Sequence, residues 1–553
     1  MRFLIRLLPF CWFTLLRTSL LGQPVPPLQS AQISRLDSIA SQDVPARSPG
    51  IATGIVRNGR IVYSHYAGYA SLADSVLINQ ASRFNIASNA KQFTALAILL
   101  LAAQNRLSLE ADIRTFVPGL YRGINRKISL KHLLNHSSGI RDVYDLWSLQ
   151  GITWWKTTLT NQDALALLQN QQELNFTPGT RYLYSNSNYI LLATVVEQVT
   201  GESFVQYTQK LFAQLGMPHT SFVDNHKRIE EPLAKPYFNF NRWVNYEWLC
   251  DLYGDGNLFT TLADQLAWEM IVQRGHHDSL PAGLIQRSQQ LVEKSGVTAY
   301  GYGLEFGQYQ GRLYQFHEGA TGAWKATLIR FPTDSLSIIT LTNSGKTLPA
   351  TQTRQMANVL LRPTLAETPY PRQPKQVGDY KSIPDVLGIY LDGNAFSFQF
   401  VQRDTSLYLI RFDRNDTQLV RESANSFHQL SDPGFKLEFT PDQLGHLQVT
   451  AYHPTHAPYT LIRRDHDWRE FAFEELNGTY RNGETNQPLL INHVSGQQFR
   501  VKLGEQETAG VLVSPTKLLC DGFQVVLTSR GKPVTVFLDF NRLKNVRFKR
   551  VNP

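Results

Sequence analysis

One run of the chain leaves little freedom for the rest. From Ser88 to Gln104 the residues follow helical patterning, and after Thr94 nearly all of them are apolar. A helix apolar on every side has to be buried on every side. Crossing a bilayer takes about 20 uninterrupted apolar residues, and this run stops short. It asks instead for a large protein core around it, and 553 residues are enough to build one. The neighbouring sequence says what that core is made of. Residues 51–56 and 61–66 are β-rich and are joined by Arg57-Asn58-Gly59-Arg60, and Asn-Gly between apolar runs is a strong hairpin signal. Helical patterns follow at about 129–136, 161–172, 187–200, 203–214 and 261–272. Strand character returns after Tyr300, with a second hairpin predicted over 324–343 around Pro332-Thr-Asp-Ser335. Strands at both ends of the first 345 residues thus bracket a helical middle. The economical topology is an α+β domain, one antiparallel sheet assembled from both ends with helices beside it.

Pro363, Pro369, Pro371, Pro374 and Pro384 mark residues 363–384 as a semi-rigid linker. Beyond it short strands and turn signals recur with almost no helical pattern, which predicts an all-β, barrel-like region. Gly388-Ile-Tyr390-Leu-Asp-Gly393 matches Gly478-Thr-Tyr480-Arg-Asn-Gly483, and each copy runs to a basic end, Arg463-Arg464 and Lys549-Arg550. Two related β units are expected, 385–466 and 467–553, either two small barrels or two halves of one.

The first 22 residues, with Arg2 and Arg6 before the apolar stretch and Gly22 at a small-residue cleavage point, read as a secretory signal peptide. This places 23–362 as the mature first domain and gives a periplasmic or extracellular location. Arg17 interrupts the stretch, so no stable membrane span is expected after processing. A net charge of +9 spread over the whole chain, without a long Lys/Arg run, argues against nucleic acid as a partner. Cys250 and Cys520 lie far apart and in no CxxC motif, so neither a disulfide framework nor a thiolate metal site is expected.

Three short motifs carry the chemistry. Ser88 and Lys91 are i and i+3, so on a helix they share a face. A hydroxyl needs a nearby base to become a nucleophile, and lysine serves once its pKa is lowered. Tyr184-Ser-Asn186 sits where a loop enters an apolar helix; a phenol can shuttle protons and an amide can hold both a lysine and a substrate carbonyl. His317-Glu-Gly319-Ala320 precedes the second hairpin, where a small residue at a strand edge lets a substrate approach. Taken singly, each has an ordinary structural explanation: a Ser N-cap, a core Tyr, a satisfied His.

In the order S-x-x-K, Y-x-N, H-x-G the set resembles the serine β-lactamase and penicillin-binding-protein-like family, in its class C-like branch. Ile128-Ser-Leu-Lys-His132-Leu-Leu-Asn-His136-Ser-Ser-Gly139 and Gly254-Asp-Gly256-Asn257-Leu-Phe-Thr-Thr-Leu-Ala-Asp264 resemble two further family segments, with Asn257 where the family has Gly. The resemblance covers about residues 30–360 and implies a β-lactamase/transpeptidase-like fold with a helical subdomain. It implies Ser88 as acyl-forming nucleophile, Lys91 as its proton-transfer partner and Tyr184 as general base and later acid. It implies Asn186, His317, Gly319 and Ala320 as substrate-binding, with the N–H groups of Ser88 and Ala320 as oxyanion hole. His317 takes the place of the Lys in K-T-G, so a titratable group replaces a permanent cation. The β units resemble the appendages of D-aminopeptidase-type relatives, where they can shape the active-site entrance. No cofactor is implied.

His132 and His136 are i, i+4, but Leu133 fills the acid position of H-E-x-x-H, so no metal is expected there. The chain reads as an exported serine hydrolase that cleaves an amide or ester of a small-molecule or peptide substrate, such as a D-amino-acid peptide, a wall-peptide stem or a small ester. A homo-oligomer is compatible with this. The competing readings are a penicillin-binding or sensor-type protein that acylates once and uses its β region to bind a partner, and a small-molecule carrier built on 385–553. Trp147, Trp154, Trp155, Trp243 and Trp248 are expected to give the pocket apolar walls.

Overall fold

The hairpin read from Asn58-Gly59 forms as expected, with both residues in the left-handed region (φ +48° and +71°) that such a turn requires. It joins β1 (Ile51–Arg57) to β2 (Arg60–Ala67). The computed structural model describes residues 27–551 apart from 293–296, 298, 362–385, 392–396, 411–415, 431–432, 454–455, 464–467 and 529–532. The expected signal peptide and the 363–384 linker lie outside the described residues. Four later strands complete the sheet: β3 (Glu305–Tyr309), β4 (Arg312–Thr321), β5 (Trp324–Phe331) and β6 (Leu336–Thr342). Their order is β3-β4-β5-β6-β1-β2, so both ends of the domain do meet in one antiparallel sheet, with Ile55 of β1 opposite Ile338 of β6.

The helices that concern the site are α1 (Ser30–Ser41), α2 (Lys91–Ala103), α3 (Val143–Leu149), α4 (Asn186–Thr200), α5 (Leu262–Arg274) and α6 (Pro349–Leu360). The apolar helix is α2, and every residue from Lys91 to Leu101 is buried. Because both faces of the sheet are covered, β1 lacks a polar-out alternation. Ala52 and Val56 join the large core around α2, α4 and α5, whereas Ile55 joins a second core with Leu36 of α1 and Met356 of α6. The helix expected over 129–136 is shorter, Leu130–Leu134, because His136 adopts φ +57° and turns the chain.

The open alternative for the C-terminal region resolves into two closed barrels of eight strands each, Gly388–Arg463 and Gly478–Arg550. The repeated Gly-x-Tyr opens each one. Tyr390 Oη donates to the Val386 carbonyl at 3.1 Å and Tyr480 Oη to that of Leu476 at 3.2 Å. The basic ends close the rings, Tyr390 pairing with Arg463 and Tyr480 with Arg550. Phe398, Phe400, Phe427 and Phe439 are buried together in the core of the first barrel. The second barrel, though farther along the chain, shares the core of the first domain; the first barrel keeps its own core and meets its twin through Leu391, Val513 and Leu519. No helix among the described residues is long and apolar enough to cross a membrane.

Candidate active site

Ser88 lies in a single 3-10 turn, Ala87–Ala90, that runs directly into α2. Ala87 holds φ +47°, a left-handed conformation that costs a non-glycine residue of order 1 kcal/mol and that tends to cluster at functional sites. The side chain of Asn85 steadies it by accepting the Ala87 N–H at 2.8 Å. Across the turn runs the C-terminal end of β4. The pairing of β3 with β4 stops at Phe316, which leaves residues 317–321 without a β3 partner on that side. Gly319 is required there: a Cβ would stand 2.4 Å from the Ile86 carbonyl oxygen and 3.0 Å from the Ser88 nitrogen.

Lys91 Nζ is fully buried and lies 3.1 Å from Ser88 Oγ, 3.0 Å from Asn186 Oδ1 and 2.6 Å from the Asp255 carbonyl oxygen. Burial drives its pKa down to about 7; the cation of Arg542 pushes the same way, while Asp255 and Asp142 oppose it. Asn186 is the first residue of α4. It is fixed by Asp142, the N-cap of α3, whose Oδ2 accepts its backbone N–H at 2.7 Å and its Nδ2 at 3.0 Å. The amide is thereby oriented with its oxygen towards Lys91.

Tyr184 precedes α4 on a loop strapped down by His136. The His136 carbonyl accepts Leu183 N–H at 3.0 Å and its Nδ1 accepts Ser185 N–H at 3.2 Å, while the ring packs 4.3 Å from that of Tyr184. The acceptor role at Nδ1 puts the ring proton on Nε2. The buried Tyr184 hydroxyl has no full hydrogen-bond partner, although Ser88 is near enough to pull its pKa down. Burial outweighs this and holds the phenol well above its ordinary value. In the resting site the phenol is therefore protonated, and the amine of Lys91 is the group that titrates near neutrality.

The expectation of a titratable cation at 317 requires correction. His317 Nδ1 lies 2.8 Å from the Glu318 carbonyl oxygen, which can only accept, and Nε2 lies 2.9 Å from Tyr300 Oη. Both ring nitrogens are thus engaged. Burial, reinforced by Lys91, drives the pKa down to about 3. Ala320, by contrast, borders the cavity beside Ser88. His132 caps its own short helix by accepting Ser129 N–H at Nδ1.

The cavity in front of Ser88 is small, about 270 Å³. Of the expected tryptophans, Trp154 and Trp248 line it; Trp147 is core, Trp155 is 58% exposed and Trp243 lies on a short strand, Trp243–Asn245. Asn257 takes φ +58°, the conformation glycine would supply, and its Oδ1 accepts the Trp248 Nε1–H at 3.0 Å. Cys250 also lines the cavity, with burial raising its pKa to about 12, so it stays a thiol. Several polar groups escaped the motif reading. Asp142 acts through Asn186. Asp255, inside the quoted Gly254-Asp-Gly256, accepts Tyr144 Oη at 3.1 Å with one oxygen and has no partner for the other. Arg542 reaches the cavity from the second barrel, on the loop between Thr535–Asp539 and Val546–Arg550, and no local pattern in the sequence announced it.

Residues 36–361 match the family described as Beta-lactamase. The D-aminopeptidase of Brucella canis is 30% identical over 309 residues, which is 54% of this chain and 57% of that protein; the D-aminopeptidase of Brucella anthropi is 28% identical over a similar stretch. The chain thus spans little more than half the length of these curated relatives. Among solved structures, the octameric penicillin-binding protein homologue from Pyrococcus abyssi superposes with a TM-score of 0.57 at 23% identity, covering 78% of this chain and all of that one. The D-amino acid amidase from Ochrobactrum anthropi SV3 gives 0.51 at 18% identity, covering 60% and 99%. These two likenesses are ones of fold. The sequence match takes in more than half of the chain and the whole Ser88, Lys91, Tyr184 and Asn186 cluster, and the chain belongs to the beta-lactamase family.

Proposed function

We propose that this protein is an exported serine hydrolase that cleaves a small amide, with a D-amino acid on the acyl side, through an acyl-enzyme on Ser88. The observation that carries the reading is Lys91 Nζ at 3.1 Å from Ser88 Oγ, in surroundings that bring the amine to about pKa 7. A neutral amine there takes the hydroxyl proton as Oγ attacks the substrate carbonyl. The oxyanion falls to the N–H groups of Ser88 and Ala320, and one such donor lowers the barrier by about 2.7–4 kcal/mol. Tyr184, protonated at rest, gives its proton to the departing nitrogen as the C–N bond breaks, and the Lys91 ammonium restores it. Water then attacks the ester carbonyl, its proton passes into the same Tyr184–Lys91 pair, and Ser88 regains its own as the acid leaves. This gives the phenol the acid role first and the amine the base role, a different division from the one the resemblance implied. The small cavity and the D-aminopeptidase relatives support a short D-substrate.

Replacing Ser88 by Ala is expected to abolish hydrolysis of D-alanine p-nitroanilide and labelling by a fluorophosphonate; turnover that survives in Ser88→Ala defeats the assignment. A single burst of p-nitroaniline followed by silence would move the protein to the sensor class. Export is tested by locating the full chain and a chain lacking residues 1–22 in fractionated cells. Self-association belongs to the same proposal and is read by light scattering.

A further inference from the structure

The cavity contains one cationic side chain that the proposed chemistry leaves idle. The backbone of Arg542 is committed: its N–H donates to Asp145 Oδ2 at 2.7 Å and its carbonyl accepts from Asn175 Nδ2 at 3.2 Å. Its side chain is not. The guanidinium lies over the Tyr184 ring, 4.8 Å from the centroid, with Lys91 Nζ 4.9 Å from the same point. Among the described residues it makes no ion pair and no side-chain hydrogen bond, although it lines the cavity that holds Ser88.

The acids around it have other partners, with one oxygen of Asp255 left over. Asp142 binds Asn186 and caps α3, Asp145 accepts the arginine's own N–H, and Asp255 accepts Tyr144 Oη. Asp145 and Asp255 line the same cavity, and burial disfavours the charged form of each, raising Asp145 to about 6. Lys544 lies nearby on the same loop and adds to the positive side. A guanidinium offers five N–H donors in a planar fork that matches a carboxylate, and in a partly dry site an unpaired one is costly.

We propose that Arg542 is a substrate-anchoring residue, so that the second barrel selects for substrates bearing a carboxylate within reach of the acyl centre. The choice of substrate rests on the hydrolase reading, but binding does not. Calorimetric titration of Ser88→Ala with D-alanylglycine and with D-alanylglycinamide compares two ligands that differ only in that carboxylate. The acid is expected to bind at least 10-fold more tightly. The ratio should fall to about one in Ser88→Ala/Arg542→Gln, while Ser88→Ala/Arg542→Lys, which keeps the charge without the fork, retains a several-fold preference. Both changes spare the backbone bonds that dock the loop. Equal affinity in Ser88→Ala, an undiminished ratio in the Gln variant, or binding of neither ligand overturns the proposal. Labelling of Ser88 by a neutral fluorophosphonate reports separately on the nucleophile. An unlabelled serine with a 10-fold ratio removes the hydrolase and keeps the anchor; a labelled serine with a ratio of one does the reverse.

Discussion

At the scale of single residues, the site works by withholding water from charges. Lys91 has every polar contact an ammonium needs, yet burial and the Arg542 cation bring it to about 7. The sign of the pH dependence follows. With Lys91 as the proposed base, the nucleophile would be activated when the amine is neutral, so kcat/KM is expected to rise with pH and to be half-maximal near 7. Arg542→Gln removes a like charge, Lys91 then holds its proton to higher pH, and the half-maximal point moves up; a pH-rate profile of the two proteins checks both. Asp142 is the residue whose loss shows how far positioning matters. Asp142→Ala leaves the Asn186 amide without the acceptor that turns it towards Lys91. A displacement of about 1 Å costs roughly 100-fold, so kcat should fall about 100-fold while Asp142→Asn, which keeps an acceptor oxygen, recovers part of it. Ser88, Lys91, Tyr184 and Asn186 were legible because each sits in a short motif of fixed spacing. Asp142 was not, because an aspartate that caps a helix is commonplace and its reach to Asn186 crosses the fold.

At the scale of elements, two pieces of backbone must interlock for the serine to be usable. The Ala87–Ala90 turn and the end of β4 approach so closely that Gly319 has no room for a methyl group. Gly319→Ala should therefore push strand and turn apart. The expected result is at least a 100-fold loss in kcat/KM with a loss of stability of about 1–3 kcal/mol, the usual scale of overpacking, measured by steady-state kinetics and denaturant titration. The elements with a pure period were the readable ones: α2 through its unbroken apolar run and the β1–β2 hairpin through Asn58-Gly59. The helices α1, α3 and α6 went unannounced. In α6 the second core takes Met356, Ala357 and Leu360, with Val359 packed against it, after a first two turns of mostly Gln, Thr and Arg, so the amphipathic stripe is thin in the sequence and gains its meaning from the sheet it covers.

At the scale of the whole molecule, the barrel second in sequence is first in importance to the site. It is bolted on by polar contacts that bridge hundreds of residues: Arg141 Nη1 to Glu484 Oε2 at 2.7 Å, Lys544 N–H to Asn175 Oδ1 at 2.8 Å and Gln487 Nε2 to the Gln150 carbonyl at 3.3 Å. The Arg141 side chain is only 1% exposed. Glu484→Ala leaves Arg141 with Glu173 at 3.4 Å and the Gln171 amide at 3.2 Å, so the loss should be about 1.5–3 kcal/mol, the scale of a hydrogen bond to a charged group, and should lower the unfolding midpoint in a thermal scan. The repeat of Gly-x-Tyr made the pair of barrels legible, but docking depends on single side chains at unrelated points, and such pairings leave no local pattern. The placement of Arg542 has a consequence for how the molecule comes into being. A polypeptide is synthesised from its N-terminus and its domains tend to fold in that order, yet the core around the reactive alcohol runs on into the last barrel to be made. Reactivity and discrimination therefore mature together, and a chain clipped ahead of its final barrel would lose packing along with choosiness.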